Sequence, residues 1–159
     1  MGSMNLHTYR VQVEWTGNDG EGTLNYKSYR RDHTIAAVGK PPIPTSSDPS
    51  FRGDPTRYNP EELLVASLSS CHMLWYLHLC AVNHVTVQSF RDFAEGTMEE
   101  AQDGSGKFIR VVLKPSVTIA AGSDPAKAAE LHHAAHGYCF IAKSVNFPVE
   151  VVPEIVLAA

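Results

Sequence analysis

A chain of 159 residues fits one domain, long enough to bury roughly two thirds of the surface its unfolded form exposes. Hydrophobic residues make up 43% and charged residues 19%, an ordinary balance for a globular protein. The net charge of −4, a pI near 6.0 and the lack of any basic run speak against nucleic acid as a partner.

At the N-terminus, Met1-Gly2-Ser3-Met4 has no charged segment followed by an apolar one, so no secretory signal is read there. Met4 reads as the native start, with residues 1–3 a cloning remnant and residues 4–159 a single domain. The expected compartment is the cytoplasm. Three cysteines there, an odd number, read as thiols and not as a disulfide framework.

Residues 6–15, LHTYRVQVEW, alternate apolar and polar positions and run into Gly17-Asn18-Asp19-Gly20, the pattern of a strand entering a turn. A second strand is expected from about Gly22, through Leu24, Tyr26, Tyr29 and Ile35. Lys40-Pro41-Pro42-Ile43-Pro44 should end regular pairing, because proline supplies no ladder donor, leaving residues 40–58 as irregular loop. So long a loop in a small domain is usually functional, and it contains Arg52 and Arg57.

The next segment, NPEELLVASLSSCHMLWYLHLCAV (59–82), opens as a helix, with Asn59 as N-cap, Pro60 at the first position, and Glu61 and Glu62 in the first turn. Glu62 is placed to close a capping box. The run is long enough to span a bilayer, but Ser67, Ser69, Ser70, His72 and His78 argue against a membrane. Apolar residues all round it predict a central helix wrapped by protein on every side.

Cys80 lies about 13 Å from Cys71 and on the opposite face of this helix, too far for a mutual disulfide. Either one can in principle meet Cys139. Cys71 has small and polar neighbours, Ser67, Ser70 and His72, whereas Cys80 sits among Leu77, Leu79, Ala81 and Val82 and reads as a core residue.

Two β-rich runs follow, 85–98 and 107–120, expected to pair antiparallel across the turn Gln102-Asp103-Gly104-Ser105-Gly106. A second helix starts at Asp124-Pro125 and is expected to run to about Lys143, with Leu131, Ala135, Cys139 and Ala142 on one inward stripe. Residues 147–157 read as a last strand. The order predicts an α+β fold, an antiparallel sheet with two main helices packed together on one side. His132, His136 and Cys139, with His72 as a fourth group, also make a zinc-ligand alternative. No metal or other cofactor is the favoured expectation, since such spacing arises easily in a histidine-rich helix.

The segment Asn59 to Cys71, N-P-E-E-L-L-V-A-S-L-S-S-C, with a second cysteine far downstream at Cys139, resembles the motif of the OsmC/Ohr family, the osmotically inducible and organic hydroperoxide resistance proteins. The resemblance implies a cofactor-free thiol peroxidase that reduces organic hydroperoxides at the expense of a dithiol reductant and works as an intertwined homodimer. By position it makes Cys71 the peroxidatic cysteine, Cys139 the resolving cysteine and Glu61 the motif glutamate. Arg52, in Phe51-Arg52-Gly53-Asp54, resembles the family's arginine, with Arg31 the runner-up. Phe140 stands where better-known branches have proline, which points to a less studied OsmC-like branch. A non-enzymatic dimer that binds a small molecule or senses oxidants is the competing reading.

The chemistry needs a thiolate at Cys71, three turns into the helix, where the dipole has faded, so an arginine is required beside the sulfur. Glu61 precedes Cys71 by ten residues, about 15 Å on a straight helix, so a site using both must draw them from two chains.

Overall fold

The computed structural model describes Gly2 and residues 4–159; Met1 and Ser3, read above as part of a cloning remnant, lie outside the described residues. The chain divides into two compact units, Met1–Leu63 and Leu64–Ala159, and the long helix α1 (Pro60–Val82) crosses the division.

The first unit holds a small antiparallel sheet, β1 (Gln12–Trp15), β2 (His33–Ala36) and β3 (Ile43–Thr45), in that order. The second strand therefore starts at His33, not near Gly22. Local side-chain bonds hold the intervening residues in turns: Asn18 Oδ1 accepts from the amides of Gly20 and Gly22, and Ser28 Oγ donates to Gly22 and Asn25 carbonyls. Such bonds compete with a strand ladder. Pro44, expected to end regular pairing, instead sits inside β3, opposite Thr34. The edge position explains it, because β2 is the one strand that pairs with β3, and the isolated Thr45–Tyr58 bridge on the other side asks no donor of Pro44. A short 3-10 helix, Pro49–Phe51, also interrupts the anticipated loop.

Helix α1 begins as expected. Asn59 Oδ1 accepts from the Glu62 amide at 2.8 Å, and Glu62 Oε1 accepts in return from the Asn59 side-chain amide at 3.1 Å. This variant of the capping box satisfies a helix-end donor that would otherwise face no partner.

The second unit carries two three-stranded sheets, ordered β4-β7-β9 and β5-β6-β8. The two β-rich runs pair antiparallel as anticipated, but each breaks in two: β4 (Val87–Asp92) with β7 (Pro115–Ile119), and β5 (Glu95–Glu100) with β6 (Gly106–Leu113). The last run also splits, at Pro153, into β8 (Val149–Val151) and β9 (Glu154–Leu157), which pair parallel to β6 and β7. The sheets are thus mixed and not purely antiparallel. A parallel partner needs a long crossover, and α2 (Pro125–Tyr138) supplies it.

Two apolar clusters fill this unit. Tyr76 and Cys80 of α1 pack with Ala128, Leu131 and Ala135 of α2 over Val117 and Ile119; Leu68 packs with Val111 and Leu113, backed by Ile141, Phe147 and Val149. Within α1 the fully buried residues are Leu68, His72, Tyr76 and Cys80, one stripe four residues apart, so a single chain does not wrap the helix on every side. Leu74 and Val82 stay exposed. The helix is long and apolar enough to cross a membrane by length and composition, yet its stripe lies in the core.

Leu68 has no exposed surface, and its truncation leaves a cavity between α1 and β6. Leu68→Ala should cost about 3 kcal/mol of unfolding free energy. Urea denaturation reads this as a lower midpoint at unchanged slope.

Candidate functional site

Three free cysteines differ in their surroundings. Cys80 is buried beside Tyr76, and burial pushes its thiol pKa up, as anticipated for a core residue. Cys71 is half-buried and lines an apolar pocket of about 330 Å³ with Leu74, Trp75, His78 and Phe140. Leu74, Trp75 and His78 follow Cys71 at three, four and seven residues, one face of α1, a spacing legible in the sequence but not used above.

Cys139 is not on the helical stripe assigned to it. Helix α2 stops at Tyr138, and Cys139 is its C-cap with an extended backbone, φ −64° and ψ 111°. The chain then tightens again: Cys139 Sγ accepts from the Ala142 amide at 3.4 Å, and the Cys139 carbonyl accepts from the Lys143 amide at 3.1 Å. Only 1% of Cys139 is exposed, and its thiol interacts with that of Cys71. Burial pushes the Cys139 thiol up to about 11; the Ala142 amide works against this, and the neighbouring Cys71 thiol adds to it. The pair therefore joins one thiol reachable from a pocket to one held protonated behind it.

The aromatic residues on either side of Cys139 meet one residue of α1. Trp75 stacks on Tyr138, with centroids 5.0 Å apart, and takes Phe140 edge-on at 5.6 Å.

A buried histidine pair lies deeper. His72 Nε2 and His132 Nδ1 share a hydrogen bond at 3.0 Å, and His132 stacks on Tyr76 at 3.7 Å between centroids. Among the described residues no group of three or more histidine, cysteine or carboxylate side chains is placed to hold a metal ion. His72 Nδ1, His132 Nε2 and His136 Nδ1 are buried without a protein partner. Desolvation pulls His72 down to about 4, opposed by Asp92 and aided by His136, and pulls His132 down to about 3, aided by His72.

The other anticipated site residues belong to the first unit. Glu61 stands in the first turn of α1 with no ion-pair partner among the described residues. Arg31 is engaged: its guanidinium lies 3.9 Å and 4.5 Å from the ring centroids of Tyr29 and Tyr26 and donates to both their carbonyls. Arg52 caps the 3-10 helix in the left-handed region, φ 64°, with its guanidinium 5.9 Å from the Tyr26 centroid. A non-glycine residue held there costs about 1 kcal/mol or more. The buried carboxylate of Asp32 is held by Arg30 and, through Ser46 Oγ at 3.1 Å, by the loop before α1; Arg57 approaches it at 3.9 Å.

An α+β chain with one pocket-lining thiol and one buried thiol near it at a helix end is the class that this geometry defines. The chain belongs to the OsmC family: the family described as OsmC-like protein matches residues 53–154. An OsmC-like protein of unknown function from Vibrio cholerae shares 35% identity, with a TM-score of 0.82 over 95% of this chain and 100% of that one. An organic hydroperoxide resistance protein OsmC from Legionella pneumophila, 16% identical, superposes with a TM-score of 0.68 over 96% and 99% of the two chains. The organic hydroperoxide resistance protein of Bacillus subtilis, 22% identical, gives 0.57 over 92% and 98%. At such identities the last two share the fold. Among curated proteins none matches this chain.

The histidine pair makes a pH prediction. Both imidazoles titrate lower in the folded chain than the ordinary value of about 6.5, so the unfolded chain takes up protons first. Their contribution to stability is full above about pH 6.5 and is lost as pH falls toward about 4. Unfolding free energy should drop by about 3 kcal/mol between pH 7.5 and 5.5, above the carboxylate range. In a variant carrying both His72→Leu and His132→Leu the slope should flatten; an unchanged slope there would place the titration elsewhere.

Proposed function

We propose that the chain is a cysteine-based peroxidase of organic hydroperoxides, with Cys71 the attacking thiol and Cys139 the resolving one. The observation that carries the reading is a thiol that lines an apolar pocket, Cys71, with a buried thiol, Cys139, near enough to feel its electrostatic influence. Names of two structural relatives, organic hydroperoxide resistance proteins, point the same way.

In the first step the Cys71 thiolate attacks the distal peroxide oxygen. The O–O bond breaks, Cys71 becomes a sulfenic acid, and the alkoxide takes a proton and leaves as an alcohol. Cys139 then attacks the Cys71 sulfur; the S–S bond forms, and the hydroxyl departs as water with the Cys139 proton. A dithiol reductant returns both thiols. An apolar pocket wall favours a hydroperoxide with an apolar organic group over hydrogen peroxide. Nothing in this scheme calls for a cofactor.

Ionising Cys71 requires a cation, because the α1 dipole fades beyond its first turn. We assign that role to Arg52 over Arg31, which is held by hydrogen bonds to the Tyr26 and Tyr29 carbonyls and by both their rings. The strained backbone of Arg52 supports a functional constraint there. Glu61 would fork that guanidinium from a second chain, since about 15 Å of helix separates it from its own Cys71. A homodimer is also supported by the apolar residues the single chain leaves uncovered, Leu6, Tyr9, Val11 and Val13 around β1. The cytoplasm is the compartment in which such free thiols persist.

Cys71→Ser should reduce hydroperoxide turnover to background, whereas Cys80→Ser keeps more than half of it, in a coupled dithiol assay with cumene hydroperoxide. Equal losses would remove the assignment. Oxidation of Cys71 without turnover would instead favour an oxidant sensor.

For the shared site, subunits carrying Glu61→Ala and Cys71→Ser are mixed. The heterodimer should regain activity that neither parent has, because one of its two sites holds both intact residues. Confirmed heterodimers that stay inactive would rule the shared site out.

A further inference from the structure

We infer that Trp75 is a positioning residue for the resolving step: it grips the two aromatic side chains that bracket Cys139 and so holds that thiol against Cys71. The inference rests on the peroxidase reading for its physiological role, but the contact it describes is independent of any substrate.

Three observations carry it. First, the residues on both sides of Cys139 have the same partner, Tyr138 stacked on Trp75 with a 20° interplanar angle and Phe140 edge-on at 82°. These are the two arrangements that aromatic quadrupoles favour. Second, neither residue is part of a core. Tyr138 is 54% exposed and Phe140 67% exposed, so ordinary burial does not account for where they sit. Among the described residues Trp75 is the one aromatic partner of each. Third, Trp75 follows Cys71 by four residues, one turn along α1, so a grip on Trp75 fixes the Cys139 segment in register with the Cys71 sulfur.

The grip is needed because α2 has already ended. Cys139 has an extended backbone outside the helical ladder, and its own amide bonds the His136 carbonyl at a long 3.4 Å. Beyond it, Ser144 Oγ donates to the Phe140 carbonyl at 2.7 Å, which stiffens the far side of the turn without tying it to α1. The resolving step is an attack of one sulfur on another, and its rate depends on how much of the time the two are held in line. Phe140 is one jaw of this grip; proline at that position would offer no aromatic edge.

Trp75 also lines the Cys71 pocket, so a loss of activity alone would not distinguish a grip from a substrate wall. Two rates separate them. The first is sulfenic acid formation at Cys71, trapped with dimedone after cumene hydroperoxide. The second is formation of the Cys71–Cys139 disulfide, followed by non-reducing peptide mapping with diamide as oxidant, which takes two electrons from the two thiols and needs no peroxide pocket.

Trp75→Leu should slow the diamide-driven disulfide about tenfold while Trp75→Phe, which keeps an aromatic face, stays within about twofold of the parent. Phe140→Pro should slow it in the same direction. With peroxide, Trp75→Leu should accumulate dimedone-reactive Cys71. Unchanged disulfide rates in Trp75→Leu, or equal slowing in Trp75→Phe, would overturn the grip. If the parent forms the disulfide with diamide but no sulfenic acid with peroxide, the peroxidase reading falls and the grip is still judged by the diamide rates.

Discussion

The early end of α2 is the constraint on which the rest of the site depends. Had the helix continued to Lys143, Cys139 would have stayed on its inward stripe with its neighbours one turn away. Instead the chain leaves the helix at Tyr138, and Cys139 becomes an extended residue whose sulfur takes the Ala142 amide and lies near Cys71. The same break frees Tyr138 and Phe140 to flank Trp75. One local change of backbone thus sets both the placing of Cys139 near Cys71 and the wall of the pocket.

Helix α1 is the other half of the arrangement, and it divides its faces by task. One stripe, Leu68, His72, Tyr76 and Cys80, is buried and holds the helix to the sheets and to α2. Another, Cys71, Leu74, Trp75 and His78, faces a pocket. Polar groups occur on the buried stripe too, since His72 and His132 satisfy one another at a single bond and leave their outer nitrogens bare. Desolvation keeps both imidazoles neutral, so the pair tightens the contact between the helices at neutral pH and weakens it in acid.

Features governed by local chemistry were legible in the sequence. Asn59-Pro60 and Asp124-Pro125 mark two helix starts because cap and first-turn preferences act within a few residues, and the hairpin turn at Gly104, φ 84°, follows from the same short range. Cys80 was recognisable as core from its apolar neighbours. What failed was set by tertiary pairing. The parallel partners β8 and β9 leave no mark in a short apolar run, and Pro44 could enter a strand because β3 lies on an edge. The end of α2 is marked in the sequence by Gly137 alone, which the apolar stripe through Cys139 and Ala142 outweighed, whereas the helix stops one residue before the thiol. The pocket residues on α1 were available from their spacing to Cys71, but Phe140 joins them only through the fold.

The central claim is that Cys71 and Cys139 of one chain are redox partners. It is tested most directly by adding one equivalent of an organic hydroperoxide to the fully reduced protein, blocking the remaining thiols and mapping the peptides by mass spectrometry. The account predicts a single new bond, Cys71 to Cys139 within one chain, with Cys80 recovered as the blocked free thiol. Recovery of Cys139 as a free thiol, or a bond that includes Cys80, would contradict it.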